Sequence, residues 1–397
     1  MHTMNDVYLN HLGVLCAAGR GHAALREAMR RPFPPDLRTK LALPGGRDYP
    51  TAPVSAPLPD TGHLPLPLQS RNNALLLAAL EDIRPQVDAA IARYGAGRVA
   101  VVLGTSTSGV GESENAFLAR GEAGVFPADF HPNQQELGSP ALLLRETLGL
   151  AGPALVISTA CSSSAKALAS AARLLKSGQC DAAIAGGADS LCRFTVGGFV
   201  ALDSVGSNGC NSMSRNRDGI HVGEAAALFL LSREPGPVKL TGWGETADAH
   251  HISAPEPSGR GALAAMRQAL ERAGLAPADI DYINLHGTAT QQNDAMESLA
   301  VSQLFGAAAP ASSTKGLTGH TLGAAGALEA AICWLTLQDN SQGLLPIHQW
   351  DGEADPELPA LNLVEAGQAL GRPPRRALSN SFAFGGSNAS LILEAAP

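Results

Sequence analysis

Residues 154–188 limit the fold of this chain more than any other stretch. They run as apolar strand, small-residue turn, alanine-rich helix and apolar strand. The strand segments 154–158 and 181–188 show little polar/apolar alternation, so they read as buried on both faces. A parallel pair joined by a crossover helix meets that requirement. The predicted class is α/β. The turn itself reads Ser158-Thr-Ala-Cys161-Ser-Ser-Ser. A thiol at a helix start sits at the positive end of the dipole, which favours the thiolate, the nucleophilic form. The competing reading is a small buried cysteine in a tight turn.

The pattern recurs along the chain. Segment 32–69 is rich in Pro and Gly, including Pro32-Phe-Pro-Pro35, and reads as an extended covering segment. Helical spacing runs over 71–94 and 133–148, with a strand over 98–104 between them. After the strand at 225–231 the chain turns at Glu234-Pro-Gly-Pro237 and begins again. Strand 238–242, helix 259–273, strand 280–285, helix 291–305, helix 322–337 and strands 377–381 and 389–394 follow. Thr159-Ala-Cys161 leads into Ser164-Ala-Lys-Ala-Leu168, and Thr318-Gly-His320 leads into Gly323-Ala-Ala-Gly-Ala-Leu328. This weak repeat favours two similar halves, 1–236 and 237–397. Alanine- and glycine-rich helices imply close packing between sheets.

Composition excludes several functions. Charged residues are 16% of the chain, and the net charge is −8 with no basic block. Nucleic acid and anionic membrane surfaces are poor partners for such a chain. An acidic partner needs a local patch, for which Arg71, Arg215, Arg217 and Arg267 are candidates. The six cysteines show no metal-ligand spacing, so no metal site is expected, and their sparsity fits a reducing compartment. No export signal and no membrane span is predicted, which makes the cytoplasm the default.

Three further constellations carry chemistry. His286 ends an apolar strand in Asn284-Leu-His-Gly-Thr-Ala-Thr290, at the strand edge where open α/β sheets bind ligands. Thr288 and Thr290 add hydroxyls there. Lys315 and His320 lie in a small-residue turn before a buried-looking helix. A buried lysine needs a partner, and Glu329 is the candidate. Phe384-Gly-Gly offers backbone N–H groups for an oxyanion and an aromatic gate. Each alone also reads as ordinary structure: a capping histidine, a loop lysine, a glycine turn.

Together, Thr159-Ala-Cys161, His286-Gly-Thr-Ala-Thr290, Lys315 with Gly319-His320, and Phe384-Gly-Gly resemble the elongating β-ketoacyl-acyl carrier protein synthases of the thiolase superfamily. The resemblance implies the thiolase fold, with two βαβαβαββ halves in a five-layer αβαβα stack. It implies that Cys161 takes an acyl chain as a thioester, with the amides of Cys161 and Phe384 as oxyanion hole. It implies that His286 and His320 bind the malonyl thioester carbonyl during decarboxylation, with Lys315 and Glu329 in support. Thr288 and Thr290 would hold the pantetheine arm, Phe384 would be the gate, and Thr107 would face the acyl pocket. No cofactor is implied, because 4'-phosphopantetheine arrives on the carrier protein. The partners implied are acyl carrier protein and a second subunit, in a homodimer or a heterodimer with a related chain.

Three positions depart from the family. Asn211-Ser-Met-Ser214 stands where Pro-Phe-Asp is usual, Ala225 where the usual residue is glycine, and Thr107 where a larger apolar side chain is common. Two rival activities remain at this stage. A thiolase would carry a second catalytic cysteine near the C-terminal Gly-Gly turn, and Cys333 is the last cysteine here. A chain-length partner subunit would lack the nucleophile.

Overall fold

The computed structural model describes residues 6–31, 38–43, 45–207 and 209–396. Pro32 to Pro35 of the covering segment lie outside them. The first half carries β1 (Tyr8–Cys16), β2 (Gly19–Arg20), the hairpin β3 (Thr39–Ala42) and β4 (Asp48–Ala52), β5 (Val99–Gly104), β6 (Ala154–Ile157), β7 (Ala182–Asp189), β8 (Val222–Gly223) and β9 (Ala225–Ser232). The second carries β10 (Val238–Ala247), β11 (Tyr282–Asn284), β12 (Pro310–Ser312), β13 (Asn362–Leu363), β14 (Arg376–Ala383) and β15 (Ser387–Ala395). The helices are α1 (His22–Arg30), α2 (Arg71–Tyr94), α3 (Val110–Ala123), α4 (Ser139–Thr147), α5 (Ser163–Lys176), α6 (Arg193–Ala201), α7 (Arg260–Ala273), α8 (Gln291–Phe305), the single turn α9 (Lys315–Thr318) and α10 (Ala325–Leu337).

The large sheet runs β13-β12-β11-β14-β15-β10-β1-β9-β7-β5-β6. Outward from the centre, the first half reads β1-β9-β7-β5-β6 and the second β10-β15-β14-β11-β12. The two orders correspond strand for strand, with the outer strands parallel and the inner ones antiparallel. They meet where β1 pairs with β10, at Tyr8↔Lys239 and Leu9↔Val238. Each half follows βαβαβαββ in sequence.

Helices complete the layers. Helix α2 packs on β1, β7 and β9, and α7 packs on β10 and β15. Between the halves α5 and α10 pack on each other. Their small residues allow it: a Cβ on Gly326 would fall 2.7 Å from that of Ala165. Ala167, Leu168, Ala171 and Leu175 of α5 are fully buried, as are Ala327, Ala330, Ala331 and Leu335 of α10. The result is a five-layer αβαβα arrangement with the Cys161 turn and the His320 turn both opening toward the middle layer.

Several expectations shift. The helix read over 133–148 breaks into a 3-10 turn at Pro132–Gln135 and α4, because Gly138 and Pro140 interrupt it. The strand read over 280–285 shortens to β11, and the segment before Ser313 is itself strand β12. Helix α10 begins three residues later than read, after a 3-10 turn at Leu322–Ala324.

Candidate active site

Cys161 stands on a sharp elbow between β6 and α5. Ala160 takes φ +52°, a costly conformation for a side chain with a Cβ. Ser163 holds it: its Oγ donates to the Ala160 carbonyl (2.6 Å) and accepts from the Thr159 N–H (2.9 Å). Cys161 is 4% exposed. The sulfur meets Nε2 of His320 at 2.9 Å. His286 completes the group, with one ligating atom from each of the three residues within 4.8 Å of the others. The imidazole rings lie edge to face, 5.3 Å between centroids.

His286 leaves the end of β11 and is fixed from two sides. The carboxylate of Glu297, one turn and a half into α8, accepts the N–H groups of His286 and Gly287, each at 2.7 Å. Lys315 donates to the His286 carbonyl and sits 3.5 Å from its Nδ1. An ammonium has no lone pair, so Nδ1 is the acceptor and the ring proton sits on Nε2. Lys315 also pairs with Glu329 of α10, both buried. The His320 N–H donates to the His221 carbonyl (2.8 Å), which places this turn against β8.

Burial governs the protonation states. It pushes the Cys161 thiol up to about 12, against the pull of the Lys315 charge and the Phe384 N–H. Desolvation thus works against the thiolate that the helix dipole favours and draws the resting group toward the thiol. Burial holds His286 and His320 well below the usual imidazole range, and the Lys315 charge adds to it, so both rings are neutral. Glu329 and Glu297 are each raised to about 7 by burial, with Lys315 opposing.

The three side chains end a cavity also lined by Thr288, Thr290, Phe199, Phe382 and Phe384. Thr288 and Thr290 hydroxyls pair at 3.0 Å, and Thr290 caps α8. Phe384 opens a turn in which Gly385 and Gly386 have φ +79° and +71°, and its ring packs 5.6 Å from that of Phe199. Thr107 does not line this cavity. Its N–H and hydroxyl both donate to Asp189 at 2.9 Å.

Sequence reasoning missed three acids. Glu297 and Asp294 look like the polar side of a helix, yet both are fully buried. Their signal was position, four and seven residues past Thr290, the cap of a helix that follows a chemical motif. Asp189 ends a strand of apolar residues and is fully buried. It gathers Thr105, Ser106 and Thr107 from one loop and the Gly323 N–H (2.6 Å) from another. The departure at 211–214 also has a function. The Ser212 hydroxyl donates to the Gly287 carbonyl, and the Met213 N–H donates to Asp294 (2.7 Å). Ala225 is a buried β9 residue opposite Cys16 and Asp189. Of the four arginines considered for docking, Arg71 pairs with Glu224, Arg215 with Glu353 and Arg217 with Asp355, and Arg217 is buried. Among the described residues no helix is long and apolar enough to cross a membrane.

Two family models match this chain. The β-ketoacyl synthase N-terminal domain matches residues 75–235, and the β-ketoacyl synthase C-terminal domain matches residues 238–345. The 3-oxoacyl-[acyl-carrier-protein] synthase 2 of Rhizobium meliloti (strain 1021) is 40% identical over 263 residues, 62% of this chain and 61% of its own. The protein of that name from Staphylococcus aureus (strain COL) is 35% identical over 264 residues, 62% of this chain and 63% of its own. The matched stretch thus spans less than two thirds of these curated relatives. Among solved structures, a chain of the Xenorhabdus doucetiae ketosynthase ApeO in complex with its chain length factor ApeC aligns at TM-score 0.93 and 45% identity, covering 99% of this chain and 98% of that one. A β-ketoacyl synthase from Burkholderia phymatum STM815 aligns at TM-score 0.84 and 27% identity, over 99% of this chain and all of that one.

Proposed function

Because this chain belongs to the β-ketoacyl synthase family, we propose that it extends acyl chains by two carbons through decarboxylating Claisen condensation. The observation that carries the reading is one buried sulfur 2.9 Å from one imidazole and beside a second, at the end of a cavity. In the first half-reaction Cys161 attacks an acyl thioester delivered by acyl carrier protein. The S–C bond forms, the pantetheine thiol leaves, and the cysteine proton passes to it. Neutral His320 stands where it can take that proton in transit. The amides of Cys161 and Phe384 receive the oxyanion.

In the second half-reaction malonyl carrier protein enters along Thr288 and Thr290. The carboxylate leaves as carbon dioxide, and its bonding pair becomes an enolate. His286 Nε2–H donates to the enolate oxygen. Acylation has removed the thiol proton, so once its ring proton moves from Nδ1 to Nε2, neutral His320 can donate as well. The carbanion then displaces the Cys161 thiolate, which takes up a proton. Lys315, paired with Glu329, is the positioning residue that keeps His286 in its donor tautomer, and Glu297 holds the His286 backbone. The phosphopantetheine belongs to the substrate, and the chemistry asks for no further cofactor.

The partners we propose are acyl carrier protein and a second thiolase-fold subunit, either another copy or a related chain. The edge strand β6 supports a second subunit of either kind, since among the described residues it pairs with β5 alone and leaves Leu155 exposed. We place the reaction in the cytoplasm, where a reducing milieu keeps Cys161 a thiol. A subunit that only sets chain length would need no nucleophile, which argues against that role. Intact-mass analysis of the chain against a panel of acyl carrier proteins tests the reading. A Cys161 adduct followed by a two-carbon-longer β-keto product is expected. No adduct from any acyl carrier protein would overturn it.

A further inference from the structure

Lys166 lies on α5, five residues beyond the nucleophile, and among the described residues its ammonium has no carboxylate partner. It donates instead to the Ser387 hydroxyl at 2.6 Å. Ser387 follows the Phe384–Gly386 turn directly. Its oxygen also meets Ser162 Oγ at 3.0 Å, and Ser162 is the residue after Cys161. Ser162 Oγ lies 2.9 Å from the Thr159 carbonyl. An ammonium is a donor only, and each hydroxyl has one proton. The Ser387 oxygen accepts from Lys166, so its own proton goes to Ser162, and the Ser162 proton goes to the Thr159 carbonyl. The chain Lys166 to Ser387 to Ser162 to Thr159 therefore runs in one direction. It starts on the helix behind the elbow, crosses to the gate turn of the other half, and returns to the strand end that presents Cys161.

Apart from the Phe384 N–H at Cys161 and the ring contact of Phe384 with Phe199, the gate turn is tied to its own half. Gly385 N–H donates to the Ile252 carbonyl (2.7 Å), and Asp248 N–H donates to the Gly386 carbonyl (2.8 Å). Those bonds fix the turn to the loop after β10 and say nothing of its distance from Cys161. The Lys166–Ser387–Ser162 chain does span that distance.

We propose that Lys166 is a positioning residue that clamps the Phe384 turn to the Cys161 elbow, and so sets the spacing of the two oxyanion amides. It touches neither substrate nor sulfur and acts through Ser387 and Ser162. A charge is suited to the task because charge-assisted hydrogen bonds are about twice as strong as neutral ones. The inference rests on the oxyanion assignment given above, though not on the identity of the acyl donor.

The test compares two reactions of Cys161 in the full chain. Acylation by p-nitrophenyl acetate forms an S–C bond at a carbonyl, releases p-nitrophenolate and needs the amides. Alkylation by iodoacetamide displaces iodide at a saturated carbon and does not. Each adduct is assigned to Cys161 by mass, with Cys161→Ala as the blank. Lys166→Met and Ser387→Ala are each expected to lower acylation about tenfold, the scale of a modest misplacement of reacting groups. Alkylation should stay within twofold of wild type, and Lys166→Arg should restore acylation. Equal loss of both reactions, loss of neither, or a normal acylation rate in Ser387→Ala would overturn the clamp. Wild type that acylates normally with p-nitrophenyl acetate yet condenses no carrier-bound thioester would refute the condensing reading and leave the clamp standing.

Discussion

The turns into α5 and α10 occupy corresponding places in the two halves, yet different forces hold them. The groups that touch the Cys161 turn are hydroxyls, with the Lys166 ammonium one serine removed behind Ser387: Ser163 to Ala160 and Thr159, Ser162 to Thr159. The histidine side is tied by charges: Lys315 to Glu329 and His286, Glu297 to the His286 and Gly287 amides. Neutral hydrogen bonds each contribute about 1 kcal/mol, and charge-assisted ones roughly twice that. The difference fits the two tasks. The sulfur changes partners twice per cycle, from proton to acyl group and back, so a permanent charge beside it would favour one state. The imidazoles must present the same proton to each incoming carbonyl, so a fixed ammonium at Nδ1 is an advantage.

The largest effect falls on the hydroxyl-tied side. Cys161→Ala removes the bond-forming atom, and condensation should fall by roughly a thousandfold or more, as loss of a nucleophile does. No acyl adduct should form by intact mass. Cys161→Gln should separate the sides, because it fills the sulfur's place with an amide and leaves the charges alone. Malonyl decarboxylation, followed by carbon dioxide release, should persist in it. Loss of decarboxylation in that folded variant would mean the two turns do not work independently.

Next comes the charged side. Lys315→Met removes the group that fixes the His286 tautomer. Decarboxylation should fall by about 10²- to 10³-fold, the cost of an oxyanion donor. Binding of malonyl carrier protein should change little, so the loss should appear in kcat and not in KM. A change confined to KM would show that Lys315 binds substrate instead.

The pH response should divide the same way. Cys161 is pushed up to about 12, so its alkylation by iodoacetamide should keep rising roughly tenfold per pH unit from pH 7 to 9. A plateau near pH 8 would show an activated thiolate and restore the dipole argument. The imidazoles lie well below 6.5 and stay neutral on acidification to pH 6. The rings should therefore add no pH dependence to decarboxylation by Cys161→Gln between pH 8 and 6, and any change there should centre near 7, where Glu329 and Glu297 take up protons. A fall centred near 6.5 would mean at least one ring is solvated.

This contrast was half legible in the sequence. Apolar runs bounded by small-residue turns marked β6, α5 and β7, and helices α2 and α8 keep the bounds their spacing suggested. Helix α6 was missed because Thr195, Val196, Gly197 and Gly198 are poor helix formers. Its start is capped by Cys192 instead, and packing supplies the rest. Strand β1 was missed because Asn10 and His11 interrupt the apolar run at its bulge with β9. The nucleophile and both histidines stand out because few structural needs put them in small-residue turns. Glu297 and Asp189 do not, since an acid in a helix or at a strand end reads as solvated, and only the fold shows the amides that converge on it.

The smaller effects concern stability, and they sharpen the comparison directly. Glu329→Gln leaves the Lys315 ammonium without its carboxylate in a buried site, where breaking such a pair costs about 3–5 kcal/mol. Ser163→Ala is the matching change on the other turn. It leaves the Thr159 N–H without its acceptor and the Ala160 carbonyl with the backbone N–H of residue 163 (3.1 Å) in place of the hydroxyl, beside a residue at φ +52°. Water can reach part of this elbow, since Thr159 and Ala160 are half-buried. The penalty should be about 1–3 kcal/mol, at the lower end because a water can replace the hydroxyl. Urea denaturation at pH 8 checks both variants in one series. The pH is chosen above 7 because Glu329, raised from 4.5 to about 7, stabilises the fold most when protonated, below about pH 4.5. That contribution is lost as pH rises through 7, so at pH 8 the wild type carries the ionised pair. A larger loss from Ser163→Ala than from Glu329→Gln would reverse the assignment of strong and weak restraint. The elbow's strain, and not the buried ion pair, would then be what the fold spends most to maintain.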